Sequence, residues 1–580
     1  MEQYGWLSLL PPLVAIVLAF VTRRVLVSLA AGVLCGAMIL AVGESASDGG
    51  AEGWGSRALW LLPDSMGVFM NAIWNSVSDH SHLMVFAFTM LLGAMVGVLE
   101  ITGAMRASML RLAGRVSDSR GGQTIIAVMG LVVFFDDYAN TLLVGGTMQS
   151  TADRYGISRA KLAYLVDSTA APVAGLAIVS TWVATELSYL EAGIAASDLA
   201  GSINAFEFFV QSVAYRFYPW LAIGLVFIIA LTGRDFGPMR REELAALEKM
   251  RDSQNDSQGD LGNSSEEERA GGRDNGGGVD RWSGGGVQVF AIAFAPILVC
   301  LLVLIGVLVT TGWSEVGAEN LRSLSESVDG SGWTFWGLVY DAGNLLGSGD
   351  SYWALVAGGG AGLVVALMLA DWGTAARRVR VFQGVFNGLQ QMLPAMGVLW
   401  LAWALSGMTE QLDTGGFLSS VLTDRLDVRW LPTCVFLLGG VIAFSTGTSW
   451  GTMAILTPIA VSLVLDMQVS QEGLAAAGEA TPIALATFGS VLAGAIFGDH
   501  CSPISDTTVL SSRACGCDHV THVSTQMPYA MLAAAVCVVA GTVPVGFGVP
   551  VGVCFLAGMV GLVISVRLLG RRPSAGAEEF

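Results

Sequence analysis

Apolar residues run through this chain in repeated blocks of roughly 18 to 25, the length an α-helix needs to cross a hydrocarbon core of roughly 30 Å. Short loops in which the charge collects separate the blocks. The pattern predicts an all-α polytopic membrane protein. The first block, Leu7 to Thr22, has no basic leading region or small-residue cleavage site, and a second apolar block follows Arg23 and Arg24 at once. It therefore predicts a retained helix rather than a signal peptide. Basic residues near helix ends stay on the cytoplasmic side. That rule places Arg23 and Arg24, Arg106 to Arg120, Arg154 to Lys161, Arg377 to Arg380 and Arg567 to Arg572 inside. The acidic loops Glu44 to Asp79, Glu186 to Asp198, Glu315 to Asp350, Glu410 to Asp427 and Asp466 to Glu479 then lie outside. The expected product is a multi-pass cell (inner) membrane protein with its N-terminus outside and its C-terminus in the cytoplasm.

Two apolar segments conflict with simple crossing. Gln123 to Thr147 has basic loops at both ends and is too short for two passes, so it predicts a re-entrant hairpin. Leu431 to Leu465 has acidic loops on both sides and Gly439, Gly440, Gly447 and Gly451 in its middle, which predicts a hairpin entering from outside. Pairing Phe135 with Phe444 and Pro172 with Pro503 brings the two halves into register with opposite loop charge, the pattern of inverted repeats. The expected architecture is two inverted-topology repeats, each of about five transmembrane helices plus a re-entrant hairpin, with broken helices and one extra C-terminal helix. The first repeat covers 1–232, with its hairpin at 123–147 and a broken helix at 160–184. The second covers 287–547, with its hairpin at 431–465 and a broken helix at 482–512. Residues 548–580 supply the extra helix and a cytoplasmic tail, making eleven crossings. Between the repeats, 233–286 is polar and Gly-rich and predicts a disordered cytoplasmic linker.

Composition agrees: 53% of residues are apolar and 13% charged, with mean hydropathy +0.63, values soluble domains rarely reach. The eight cysteines are scattered, most of them inside apolar runs (Cys35, Cys300, Cys434, Cys537 and Cys554), which suits buried small side chains better than a disulfide framework. A net charge of −18 argues against nucleic acid, and against anionic lipid held by a basic patch.

Against this background a few polar residues stand at membrane depth, where an unpaired carboxylate costs several kcal/mol and marks an ion or proton path. FFDDYANTLLVGG supplies Asp136, Asp137, Asn140 and Thr141; YLVDSTAAPVAG supplies Asp167, Ser168 and Thr169 ahead of Pro172. The second half supplies Ser449 among neighbouring hydroxyls, then Asp499, His500, Ser502, Ser505, Asp506 and Thr507 around Pro503. Proline and glycine in these segments break helices and expose carbonyls. A hard monovalent cation wants such oxygens. Asp137, Asn140, Thr141, Ser449, Asp506 and Thr507 are the expected cation ligands. Asp136, Asp167, Ser168, Thr169, Asp499, His500, Ser502 and Ser505 are expected to serve proton coupling or substrate. Na+, with Li+ as the alternative cation, and H+ are then the transported species; no resident cofactor and no catalytic residue is expected. Partners are the bilayer and the transported ions or small solute, with the assembly left open between monomer and homodimer. Structural roles compete: Asp167 or Asp499 as a helix cap, Asp136 as a support for Asp137, and His500 as a satisfied buried histidine rather than a pH sensor. CGCDHVTHV, Cys515 to Val523, mimics zinc spacing but follows no standard ligand pattern.

GDHCSPISDTTVLSS with CDHVTHVSTQMPYA, FFDDYANTLLVG with SRAKLAYLVDSTAAP, and FSTGTSWGTMAILTP are long, ordered and correctly spaced. At these residues the chain resembles the NhaC family of sodium/proton antiporters, a branch of the ion transporter superfamily. The resemblance implies inverted repeats, elevator-type movement, and sodium bound near hairpin-tip tripeptides, to which Ala139-Asn140-Thr141 and Ser505-Asp506-Thr507 are similar. The function expected is Na+/H+ antiport by alternating access. The alternative is a Na+-coupled carrier of a small organic acid or amino acid, of malate/lactate type. No Arg or Lys falls at the core of a motif to hold a substrate carboxylate, which favours the antiporter.

Overall fold

A computed structural model describes residues 4–572 apart from 23, 48–53, 115–117, 260–285, 328–348, 371, 415–416, 418–420, 422–425 and 473–480. Parts of the acidic loops 315–350, 410–427 and 466–479, the second half of the linker and the tail beyond 572 thus lie outside the described residues. Every element within them is helical apart from one β-bridge, Asp235 to Arg571. Ten of these helices are long and apolar enough to cross a membrane, or eleven if the bent pair Ala205–Tyr215 and Phe217–Thr232 is one span.

The chain opens with α1 (Leu10–Thr22), α2 (Val25–Ser47), α3 (Trp54–Ser78), α4 (His80–Thr102) and α5 (Ala104–Ala113). α6 (Ser119–Val132) is started by Asp118, whose side chain accepts from Gly121 N at 3.0 Å. Its 14 residues rise about 21 Å, too little to span a bilayer. The chain reverses over Val133–Asp136 into α7 (Asp137–Arg154): Asn140 donates through Nδ2 to Gly130 O at 2.6 Å and Val133 O at 3.0 Å, ten and seven residues back.

α8 (Arg159–Ala174) is capped by Ser158 and buried from Ala160 to Ala174, so it forms the axis of the core. Pro172 and Gly175 end it. An irregular stretch, 175–182, leads into α9 (Val183–Ala195), α10 (Ala205–Ser212) and α11 (Phe217–Thr232).

After α12 (Gly237–Gly259) come α13 (Gly286–Ser327), α14 (Ser351–Leu369) and α15 (Ala375–Gln411). α16 (Leu431–Thr446) and α17 (Ser449–Glu472) flank Gly447, whose φ of +67° is left-handed. Here both arms are of spanning length, at 19 and 22 residues. α18 (Pro482–Cys501) breaks at 502–505 before α19 (Asp506–Cys515), started by Ser505 accepting from Thr508 N at 3.3 Å. α20 (His519–Val536) continues through a π-helical turn, Cys537–Thr542, to α21 (Val543–Gly546), and α22 (Val551–Leu569) ends the membrane region.

The same relation recurs in both halves. Thr181 N donates to Phe135 O at 2.9 Å, laying the break after α8 on the α6–α7 turn. Ser502 Oγ donates to Phe444 O at 2.7 Å, laying the break after α18 on the end of α16 beside the α16–α17 turn.

Elsewhere small residues bring helices together. A Cβ at Gly388 of α15 would overlap the carbonyl oxygen of Gly93 of α4, and one at Gly97 would overlap that of Gly384. Because backbone atoms are the obstacle, Gly388→Val should separate the helices at a cost of about 1–3 kcal/mol or more. Loss of the monodisperse peak in fluorescence-detected size exclusion would show it; a wild-type profile would contradict the crossing.

The linker needs correction. Residues 237–259 are helical rather than disordered, and Phe236 and Met239 are buried, as is the Glu243 side chain, whose Oε1 accepts from Ser158 N at 2.8 Å. The stretch MRREELAALEKM carries Met239, Leu244, Leu247 and Met250 at helical spacing, enough apolar surface to dock. Burial of Glu243 pushes its carboxyl above the usual range.

Candidate ion-binding site

At the α6–α7 turn, Asp136 is the N-cap of α7: its Oδ1 accepts from Ala139 N at 2.7 Å while Oδ2 has no partner. Asp137 follows, fully buried, with neither carboxyl oxygen hydrogen-bonded. Asn140 spends its amide nitrogen on carbonyls, including Thr169 O at 3.1 Å, which leaves Oδ1 unpartnered. Thr141 Oγ1 is also orphaned, as are Thr181 Oγ1 from the irregular stretch 175–182 and Thr185 Oγ1 from α9. Thr181 and the Trp182 indole N–H lie beside Asp136 and Asp137, near enough to act on them electrostatically but outside hydrogen-bond geometry. A buried polar group left unsatisfied costs about 1–3 kcal/mol. Six residues thus hold seven such oxygens without a protein donor, an arrangement a cation repairs and a neutral core does not.

The second half meets this cluster at Tyr138, which donates to Asp506 Oδ2 at 2.7 Å. Asp506 is exposed, whereas Asp499 is fully buried, with Oδ2 accepting from Thr507 Oγ1 at 2.8 Å and Oδ1 free of any partner. Ser505 and Thr507 share a hydroxyl contact of 3.0 Å. Ser449 is buried at the start of α17.

Asp167 stands apart in being saturated. Ser511 Oγ donates to Oδ1 at 3.0 Å, and Thr508 Oγ1 and Gln526 Nε2 donate to Oδ2 at 3.0 and 2.6 Å. These contacts tie α8 to α19 and α20 of the other half. Neither Asp167 nor Asp499 caps a helix: one sits inside α8 and the other near the end of α18. Ser168 is buried on α8, and Thr169 Oγ1 is occupied by Leu165 O at 2.8 Å. His500 pairs Nδ1 with Tyr218 Oη at 2.9 Å and leaves Nε2 unpartnered. Among the described residues no group of three or more His, Cys, Asp or Glu could hold a metal, so the oxygens in question are a mixed set of carboxyl, amide and hydroxyl.

Tyr138, Thr181, Thr185 and Gln526 were not among the sequence candidates. Tyr138 and Gln526 lie inside the quoted motifs, where their polar tips were the only clue; Thr181 and Thr185 joined through the fold alone. Arg216 is the larger omission. It is fully buried at the bend before α11, ion-paired with Glu186 Oε2 at 2.8 Å, and it donates to Gly175 O at the end of α8. A buried cation therefore does sit at a helix break, already neutralised.

A family model described as the Na+/H+ antiporter family matches residues 173–320 and 334–547. The chain is 30% identical over 565 residues to an uncharacterized protein of Haemophilus influenzae, covering 97% of this chain and 95% of the relative. A shorter match, 33% over 167 residues, joins 28% of the chain to 32% of an uncharacterized Na+/H+ antiporter of the same organism. Another, 30% over 174 residues, joins 29% of the chain to 32% of the malate-2H+/Na+-lactate antiporter of Bacillus subtilis. The fold is similar to that of the Alcanivorax borkumensis YdaH transporter, with a TM-score of 0.53 at 14% identity over 84% of this chain and 90% of that one.

Proposed function

The chain belongs to the Na+/H+ antiporter family, and from that premise we propose that it exchanges Na+ for H+ across the cell membrane. The cluster of unpartnered oxygens around Asp137 carries this reading. Asp137 lies within electrostatic range of both Asp136 and Asp506. Carboxylates this close, with Asp136 and Asp137 fully buried, cannot all ionise readily unless a cation is present. Either Na+ or protons can satisfy them, and competition between the two is sufficient for exchange. In this reading Asp137 and Asp506 hold the ion with Asn140 Oδ1, Thr141, Thr507 and Ser449, while Asp136 and Asp499 take up the proton. Asp167 acts as the tie that keeps the two halves in register.

Alternating access of elevator type is part of the proposal. Two hairpin-and-break units that pack on one another, beside a glycine-lined α4–α15 crossing, suit a moving unit against a scaffold, and inverted repeats place such units about the midplane. The loop arginines support an orientation with the N-terminus outside.

The test uses purified protein in sealed liposomes containing a pH dye. Added Na+, with no organic solute, should drive proton movement that choline does not and that Asp506→Asn removes. No proton signal, with Na+-dependent uptake of labelled carboxylates or amino acids, would overturn antiport in favour of the organic-acid carrier. Among the described residues, the buried Arg216 at the α8 break is already ion-paired with Glu186 and bonded to Gly175 O, which disfavours that rival. Tyr138→Phe removes the charge-assisted bond to Asp506 and should weaken apparent Na+ affinity about tenfold at unchanged maximal rate. An unchanged half-saturating Na+ concentration would detach Tyr138 from the site.

A further inference from the structure

At the end of the molecule that the loop arginines mark as cytoplasmic, the start of α12 and the end of α22 line a half-open cavity of about 390 Å³. Three of its lining residues are arginines, Arg240, Arg241 and Arg571, and none is acidic. Apolar residues complete it, among them Phe236, Pro238 and Leu569. Arg240 Nε is buried without a hydrogen-bond partner, a donor aimed at nothing the protein supplies. In a chain of net charge −18 this concentration of one sign is local and unexpected from composition.

The geometry points to a binding site for the phosphate of an anionic membrane phospholipid. Guanidinium groups present planar forks that match phosphate oxygens. Basic pockets beside cytoplasmic helix ends suit lipid headgroups. A lipid rather than a soluble anion is favoured by position. The cavity adjoins the last turn of a helix of spanning length, where Leu568 and Leu569 are 79% and 58% exposed and offer an apolar track for acyl chains. Net charge is an average over the whole chain and does not describe this corner, where the cavity lining carries three arginines and no acidic residue.

Occupancy has a route to the transport core. Arg571 pairs through its backbone with Asp235, N to O at 3.0 Å in both directions. The Asp235 carboxylate receives Lys161, on the first turn of α8, and Tyr529 Oη at 2.9 Å. α8 carries Asp167. A headgroup that fixes the α12–α22 corner therefore fixes the end of the helix that ties the two halves together.

The experiment is a lipid titration of the full-length protein in detergent, read by melting temperature and by lipid retention in native mass spectrometry. Neither readout depends on which solute is transported. Phosphatidylglycerol or cardiolipin should raise the melting temperature and remain bound, and phosphatidylcholine should do neither. Arg240→Gln with Arg241→Gln should raise the lipid concentration needed by about tenfold or more, since one charged hydrogen bond is worth about that factor. Lys at both positions should recover part of it. If the double variant is not stable, Arg240→Gln alone in native mass spectrometry decides, with lost retention expected. Equal lipid responses of wild type and variants would overturn the site. An equal shift from inorganic phosphate alone would overturn the assignment to lipid and leave a soluble phosphate as the ligand.

Discussion

Asp137→Asn is expected to lower Na+-driven proton movement at least about a hundredfold while the melting temperature of the protein stays level or rises. Removing one partner of a buried charge interaction costs about 3–5 kcal/mol, and each 1.4 kcal/mol is about tenfold. On the proposed reading, the partner lost is the one that faces the cation. The stability half of the prediction comes from the surroundings of Asp137, which is fully buried, makes no hydrogen bond through either oxygen, and lies near the carboxylates of Asp136 and Asp506. A group held in place by packing would lose stability on substitution. A group kept for ion binding, at the expense of desolvation and repulsion, should not. Melting of the empty variant and transport in liposomes therefore have to diverge, and a variant that loses both together would return Asp137 to a structural role.

Arg216→Ala should behave in the opposite way, destabilising the protein by about 3–5 kcal/mol. The guanidinium is buried between Glu186 and the Gly175 carbonyl, with the rings of Phe209 and Phe488 at 4.8 and 5.7 Å. Its removal strands the Glu186 charge and exposes the C-terminal end of the α8 dipole to a dry interior. The double variant Arg216→Ala with Glu186→Ala should recover a substantial part of the loss, because the uncompensated charge is gone, although the Gly175 carbonyl stays unserved. A double-variant cycle on melting in detergent measures the coupling. Additive losses would mean that the pair does not act as one unit.

Legibility in the sequence followed the kind of information each feature needs. Blocks of apolar residues and their loop arginines announced an all-helical membrane protein, because spanning length and hydrocarbon burial are properties of contiguous stretches. Asp137 and Asp499 were visible as carboxylates in apolar surroundings for the same reason. The docking of α12 was not. Its apolar positions are few and interleaved with charge, and whether Met239 and Phe236 are buried depends on α8 and α20 offering a surface. Arg216 escaped because it reads as a loop residue beside an apolar run, and only its contact with Gly175, 41 residues back, reveals a helix-break partner.

What the sequence by itself determined is the chemistry available at membrane depth: which segments carry carboxylates, amides and hydroxyls, and where proline and glycine interrupt helices. Each of these is local, set by residue type and near neighbours. What only the tertiary structure decided is how that chemistry is divided. Tyr138 reaches Asp506 across 368 residues and Thr508 reaches Asp167 across 341. Those contacts separate a saturated Asp167, bonded to both α19 and α20 of the other half, from an Asp137 whose two carboxyl oxygens have no hydrogen-bond partner. Hydrogen-bond saturation is a property of donors brought in from distant chain, so identical residue types in similar motifs take different roles once the fold has spent some of them on each other.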